Sequence, residues 1–162
     1  MFEIKEARRD DLSIILTLIK ELAAYEKMSD QVTANLEDLN KAIFIQKIVK
    51  VLIILEGNVV IGFCLYFNNF STFLAKTGIY IEDIYIREKY RNKGYGKQVF
   101  QYLVKEAKTL GHERIEWSCL NWNEPSIKFY QSLGAIAMDD WKVYRLDKQS
   151  ILKLSENNNE NR

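Results

Sequence analysis

Proline and histidine are nearly missing from this chain: Pro125 is its one proline and His112 its one histidine. His112 sits in the turn Gly111-His112-Glu113-Arg114, away from any nucleophile, so a histidine-based triad has no candidate. Chemistry has to run on carboxylates, tyrosine or backbone groups. Cys64 and Cys119 are the two cysteines. They form no disulfide framework, no Cys/His pair has zinc spacing, and both lie in apolar, strand-like stretches and read as buried thiols. A cytoplasmic, metal-free protein is the expectation. No apolar run approaches the roughly 18 residues of a membrane span. The start, Met1-Phe2-Glu3-Ile4-Lys5, lacks the basic segment and apolar run of a signal peptide. A net charge of +1 gives bulk electrostatics no reason to call for nucleic acid.

What the chain does have is 48% hydrophobic and 28% charged residues over 162 positions, enough for one domain with a full core. Residues 2–7 read as a strand. Asp10 or Asp11 can cap a helix with Leu12, Ile15, Ile19, Leu22 and Ala23 on one face. A shorter helix follows Thr33. Residues 49–55 and 59–68 are β-branched runs joined at Glu56-Gly57-Asn58, a hairpin. Strand 78–86 leads to a helix over 95–110, with Val99, Phe100, Leu103, Val104 and Ala107 as its buried stripe and Gly111 at its C-terminal cap. A strand over 115–119, a helix capped by Asn123 with Pro125 in its first turn and ended by Gly134, and a strand over 142–146 complete the domain. The tail 155–162 is polar and asparagine-rich and reads as disordered. The order predicts an α/β domain over 1–154, with a mixed sheet and helices on both faces.

Between the strand and the helix lie Arg91, Asn92, Lys93, Gly94, Tyr95 and Gly96, followed by Lys97. Two glycines at such a passage bring the backbone close to a ligand, and the first N–H groups of the helix point at any anion there. A Walker loop needs an earlier glycine where Arg91 stands and a hydroxyl residue where Gln98 stands. A dinucleotide fingerprint needs a small residue at Val99. Both fail, which leaves a phosphate cradle or a plain helix start.

Strict alternation along Ile79-Tyr80-Ile81-Glu82-Asp83-Ile84-Tyr85-Ile86 puts Glu82 and Asp83 on opposite faces. In a central strand such carboxylates are either functional or freed to solvent where the sheet splays. Tyr130 follows Ile127 and Phe129 on a short helix, and most of the nine tyrosines are packing residues. Glu26, Asp30, Glu37, Asp38, Asp139 and Asp140 read as solvated surface. With Tyr25 and Trp141 beside some of them, they would also suit a cationic amine.

Arg91 to Gly96 resembles the R/Q-x-x-G-x-G/A signature of the GCN5-related N-acetyltransferase (GNAT) superfamily. The runs at 18–26, 79–86 and 122–130, W-N-E-P-S-I-K-F-Y above all, resemble its spermidine/spermine branch, which includes enzymes for thialysine and diamines. The resemblance covers residues 4–154. It implies a GNAT-type, mostly antiparallel mixed sheet. It implies acetyl-CoA as donor, held by Ile84, Tyr85 and Ile86, by 91–97, and by Asn123, Glu124, Pro125 and Ser126. It also implies Tyr130 as the acid for the leaving thiolate, Glu82 as the carboxylate near the amine, a pocket of Tyr25, Glu26, Asp139 and Trp141, and a homodimer. Thr72 and Leu74 stand where the polyamine enzymes carry an acidic residue and a tryptophan. Acetylation of a small amine is the expectation, with a peptide acetyltransferase or a non-catalytic acyl-CoA-binding module as alternatives.

Overall fold

Residues 51–54 and 61–66 are buried without a break, the pattern of strands covered on both faces. In the computed structural model, which describes residues 1–157, they lie in β2 (Lys50–Glu56) and β3 (Val59–Ser71). With β1 (Phe2–Glu6), β4 (Lys76–Ile86) and β5 (Ile115–Trp117) they form a sheet of order β1-β2-β3-β4-β5. Neighbours are antiparallel except β4 and β5, which run parallel. The chain is thus α/β, with a mixed and mostly antiparallel five-stranded sheet.

Two compact units make up the chain, Met1–Trp122 and the part from Asn123 on. In the first, α1 (Leu12–Tyr25) sends Ile15, Leu18 and Leu22 into a cluster with Val51, Ile53, Phe63 and Leu65 on one sheet face. The short α2 (Leu36–Asn40), capped by the Asn35 side chain, runs on into a π turn over Lys41–Ile45. On the other face α3 (Tyr95–Leu110) buries Val99, Phe100, Leu103 and Ala107, and its Glu106 accepts a hydrogen bond from the Tyr66 hydroxyl at 2.6 Å. Val104, expected in that stripe, is exposed. Burying an apolar side chain contributes about 1.5–3 kcal/mol, so the continuous runs of β2 and β3 anchor the unit. Cys64 is fully buried as expected, whereas Cys119 lies past the end of β5 and is half-buried.

The second unit holds α4 (Glu124–Ser132) and α5 (Lys148–Asn157). The strand expected over 142–146 does not form: among the described residues this stretch belongs to no strand. Alternating polarity says what pairing would bury but supplies no neighbour to pair with. Helix α5 was not expected. It starts where the Asp147 carboxylate accepts the Ser150 N–H at 2.8 Å, and it continues through Ser155–Asn157. The rest of the predicted tail, 158–162, lies outside the described residues.

Candidate active site

The turn between β4 and α3 is shaped by two left-handed residues, Asn92 at φ 61° and Gly94 at φ 79°. Gly94 is the N-cap of α3, and no side chain caps that helix. Its first N–H groups therefore face an exposed turn, the arrangement that receives an anion. Of the turn's three cations, Arg91, Lys93 and Lys97, two are turned away. Arg91 donates from Nε to the Ile86 carbonyl at 2.7 Å and lays its guanidinium over the rings of Tyr25, at 4.6 Å, and Tyr85, at 5.6 Å. Lys93 pairs with Glu56 at 3.0 Å, and the Tyr95 hydroxyl donates to the same carboxylate. Those hydrogen bonds, Tyr95 first, hold the Glu56 carboxyl below its ordinary range. Lys97 is exposed on the first turn of α3. An anion at this turn would meet backbone N–H groups rather than a ring of side-chain charge.

Just upstream, β5 pairs with β4 only over Ile79, Tyr80 and Ile81. Among the described residues no strand takes up the β5 side of β4 beyond Ile81, and with the Ile86 carbonyl already held by Arg91, the N–H groups on that side of 84–86 have no strand partner. On the other side β3 presses close: a Cβ on Gly62 would stand 2.2 Å from the Tyr85 carbonyl oxygen. The uncapped helix start and the open strand edge both present main-chain N–H groups that a ligand could use.

The two carboxylates of β4 do not follow strict alternation. Leu65 pairs with Asp83 and Tyr66 with Ile81, so Glu82 is the extra residue of a β-bulge. Asp83 therefore shares the α1 face with its partner Leu65, while Glu82 is exposed. The Asp83 carboxyl is pushed up to about 6, first by burial and then by the charges of Glu82 and Glu26. Burial also raises Glu26, at the end of α1. Glu26 in turn helps raise the Cys119 thiol, after burial. The fold thus brings Asp83 under the influence of both Glu82 and Glu26. Sequence spacing joined only Glu82 and Asp83.

Beside them Tyr25 meets Trp122, ring centroids 6.0 Å apart, and Lys27 stands 5.1 Å over the same indole. Trp122 was missed as a site residue; its signal was its place directly before the capping Asn123. In the second unit Asn123 is buried, and its side-chain oxygen accepts the Ser126 N–H at 3.4 Å, with Pro125 in the first turn of α4. Tyr130 is half-buried on α4, its ring 5.5 Å from that of Phe129. Asp139 and Trp141 lie in 136–149, where every residue is exposed.

Residues 15–135, which span α1 to the end of α4, match the acetyltransferase (GNAT) family. The chain belongs to the GNAT family. As a GNAT acetyltransferase it is 31% identical to the thialysine N-epsilon-acetyltransferase of Bos taurus over 164 aligned positions, 94% of this chain and 96% of that protein. Over 97 positions, 60% of this chain and 42% of the relative, it is 44% identical to L-ornithine N5-acetyltransferase NATA1 of Arabidopsis thaliana. Among solved structures, the V. cholerae integron cassette protein VCH_CASS6 is similar with a TM-score of 0.79 at 27% identity, over 96% of this chain and 98% of that one. The GNAT family implies acetyl-CoA as the donor.

Proposed function

We propose that this GNAT enzyme moves an acetyl group from acetyl-CoA to a primary amine of a small polyamine, diamine or thialysine-like molecule. One observation carries the acceptor class: Glu26, next to Tyr25 and its partner ring Trp122, acts on the Asp83 carboxyl. Paired carboxylates among aromatic rings suit a small molecule bearing more than one ammonium group. Relatives named for thialysine and ornithine support the same class. Asp139 and Trp141 are proposed as further contacts to that molecule.

Acetyl-CoA supplies an activated thioester. Residues 84–86, 91–97 and 123–126 are proposed to hold it, Arg91 and Lys93 through their backbone because their side chains engage Ile86 and Glu56. An alkylamine with a pKa near 10 is mostly protonated at neutral pH. Glu82, exposed at the bulge, takes that proton. Main-chain N–H groups of 84–86 meet the charge that develops on the carbonyl oxygen during attack. Tyr130 protonates the leaving thiolate, since a tyrosine ordinarily titrates near pKa 10 and a thiol near 8.5, within reach of such a transfer. The enzyme is proposed to act as a homodimer, with the exposed apolar residues of 136–146 as the contact.

A thiol-release assay with acetyl-CoA and a panel of polyamines, thialysine, ornithine, lysine and peptides tests this. The highest kcat/KM is expected on a small diamine. Faster turnover of peptides would make it a protein acetyltransferase, and acetyl-CoA binding without thiol release on any acceptor would make it a binding module. In the same assay Tyr130→Phe is expected to lower kcat by about 100-fold with little change in KM. Wild-type kcat where chemistry limits the rate would remove its acid role.

A further inference from the structure

Arg91 opens the donor-binding turn in sequence, yet its side chain leaves that turn. Its Nε holds the Ile86 carbonyl at 2.7 Å, where β4 ends. Its guanidinium lies 4.6 Å from the Tyr25 ring and 5.6 Å from the Tyr85 ring. Tyr25 is the last residue of α1, and from it the contacts run on through Trp122 at 6.0 Å to Lys27. The α1 terminus therefore carries both Tyr25 and Glu26.

That terminus is an unusual turn. Lys27 is left-handed at φ 61°, a conformation glycine adopts freely and lysine does not. The Glu26 N–H bonds to Leu22 and the Met28 N–H to Ala23, closing the helix around it. Arg91 stacks on Tyr25, the residue that leads into the turn, and Trp122 receives Lys27 within it. A planar guanidinium can hold a carbonyl at its edge while it stacks on a ring, which an ammonium cannot do.

We infer that Arg91 is a positioning residue for the acceptor: from the donor motif it fixes the α1 terminus, and so sets where Tyr25 and Glu26 meet the amine. This rests on the small-amine reading proposed above. The donor and acceptor halves of the site would then share one side chain, with the donor served by its backbone and the acceptor by its guanidinium.

The test compares wild type with Arg91→Gln, which the GNAT signature accommodates, and Arg91→Lys. For Arg91→Gln, KM for the best amine of the panel is expected to rise by about fivefold or more, the loss of one desolvated cation–ring contact. KM for acetyl-CoA should stay within about twofold. Arg91→Lys should fall between the two for the amine. In hydrogen exchange on the whole protein without substrate, the amides of Glu26, Lys27 and Met28 should exchange faster in Arg91→Gln, with those of Leu18 to Leu22 unchanged. A rise in acetyl-CoA KM with the amine KM unmoved, or unchanged exchange at the α1 terminus, would overturn the inference. If wild type turned over no amine at all, the functional reading would fail, while the exchange experiment would still decide what Arg91 does.

Discussion

Asp83 concentrates the electrostatics of the site in one carboxyl. Burial, then Glu82 and Glu26, hold it near 6 in the folded protein, above an aspartate's ordinary value. The folded state thus binds this proton more tightly than the unfolded state does. Stability tied to Asp83 is highest when it is protonated in both states and is lost as pH rises through about 6. Asp83→Asn removes the buried charge and is expected to raise the melting temperature at pH 8 by roughly 3 °C or more. Thermal melts at pH 8 and pH 4.5 should show that gain shrinking on the acid side; an equal gain at both would deny Asp83 a buried charge. Adjacent acids in an apolar strand advertised a perturbed pair. Which one is buried depends on how β3 registers against β4, a contact the local pattern does not contain. Arg91 shows the same boundary. Its charge was legible, but its direction depends on where α1 ends in space.

Among the elements, α3 was the most legible, its bounds set by two left-handed glycines, Gly94 and Gly111. At Gly94 the need is conformational alone, since an added Cβ would meet no protein atom within 4 Å. Gly94→Ala is expected to cost about 1 kcal/mol and to raise KM for acetyl-CoA by distorting the first N–H groups of the helix. Gly94→Asn, which tolerates the left-handed region, should recover most of both. Denaturant unfolding and acetyl-CoA titration of the two variants check this, and equal losses would point to a steric cause instead. Where recognition of an element needs a distant partner, the sequence spoke less plainly. Residues 142–146 alternate as a strand does yet take no place in the sheet, and the bulge in β4 has no glycine to mark it.

Across the whole molecule, apolar surface is unevenly spread. Ile136, Met138, Trp141, Val143, Tyr144 and Leu146 are all exposed, Val143 at 88% and Tyr144 at 89%. A patch of this kind on a protein alone in solution marks a contact surface. A second copy suits it, because two identical alternating segments can pair about a twofold axis and close the assembly. Sedimentation equilibrium is expected to give twice the mass of one chain, with Val143→Asp shifting it toward one; a wild-type monomer at micromolar concentration would rule out the proposed homodimer. The bulge in β4 also bears on how such a protein changes over generations. Every pair in the β3–β4 ladder either precedes or follows Glu82. Losing that one codon would leave Ile81 against Tyr66 and Asp83 against Leu65, with each core side chain still on its own face. Within a regularly paired stretch of strand, a single-residue deletion turns the rest of the strand inside out. Loss of that one residue would therefore remove the carboxylate in a single step while the core stays as it was.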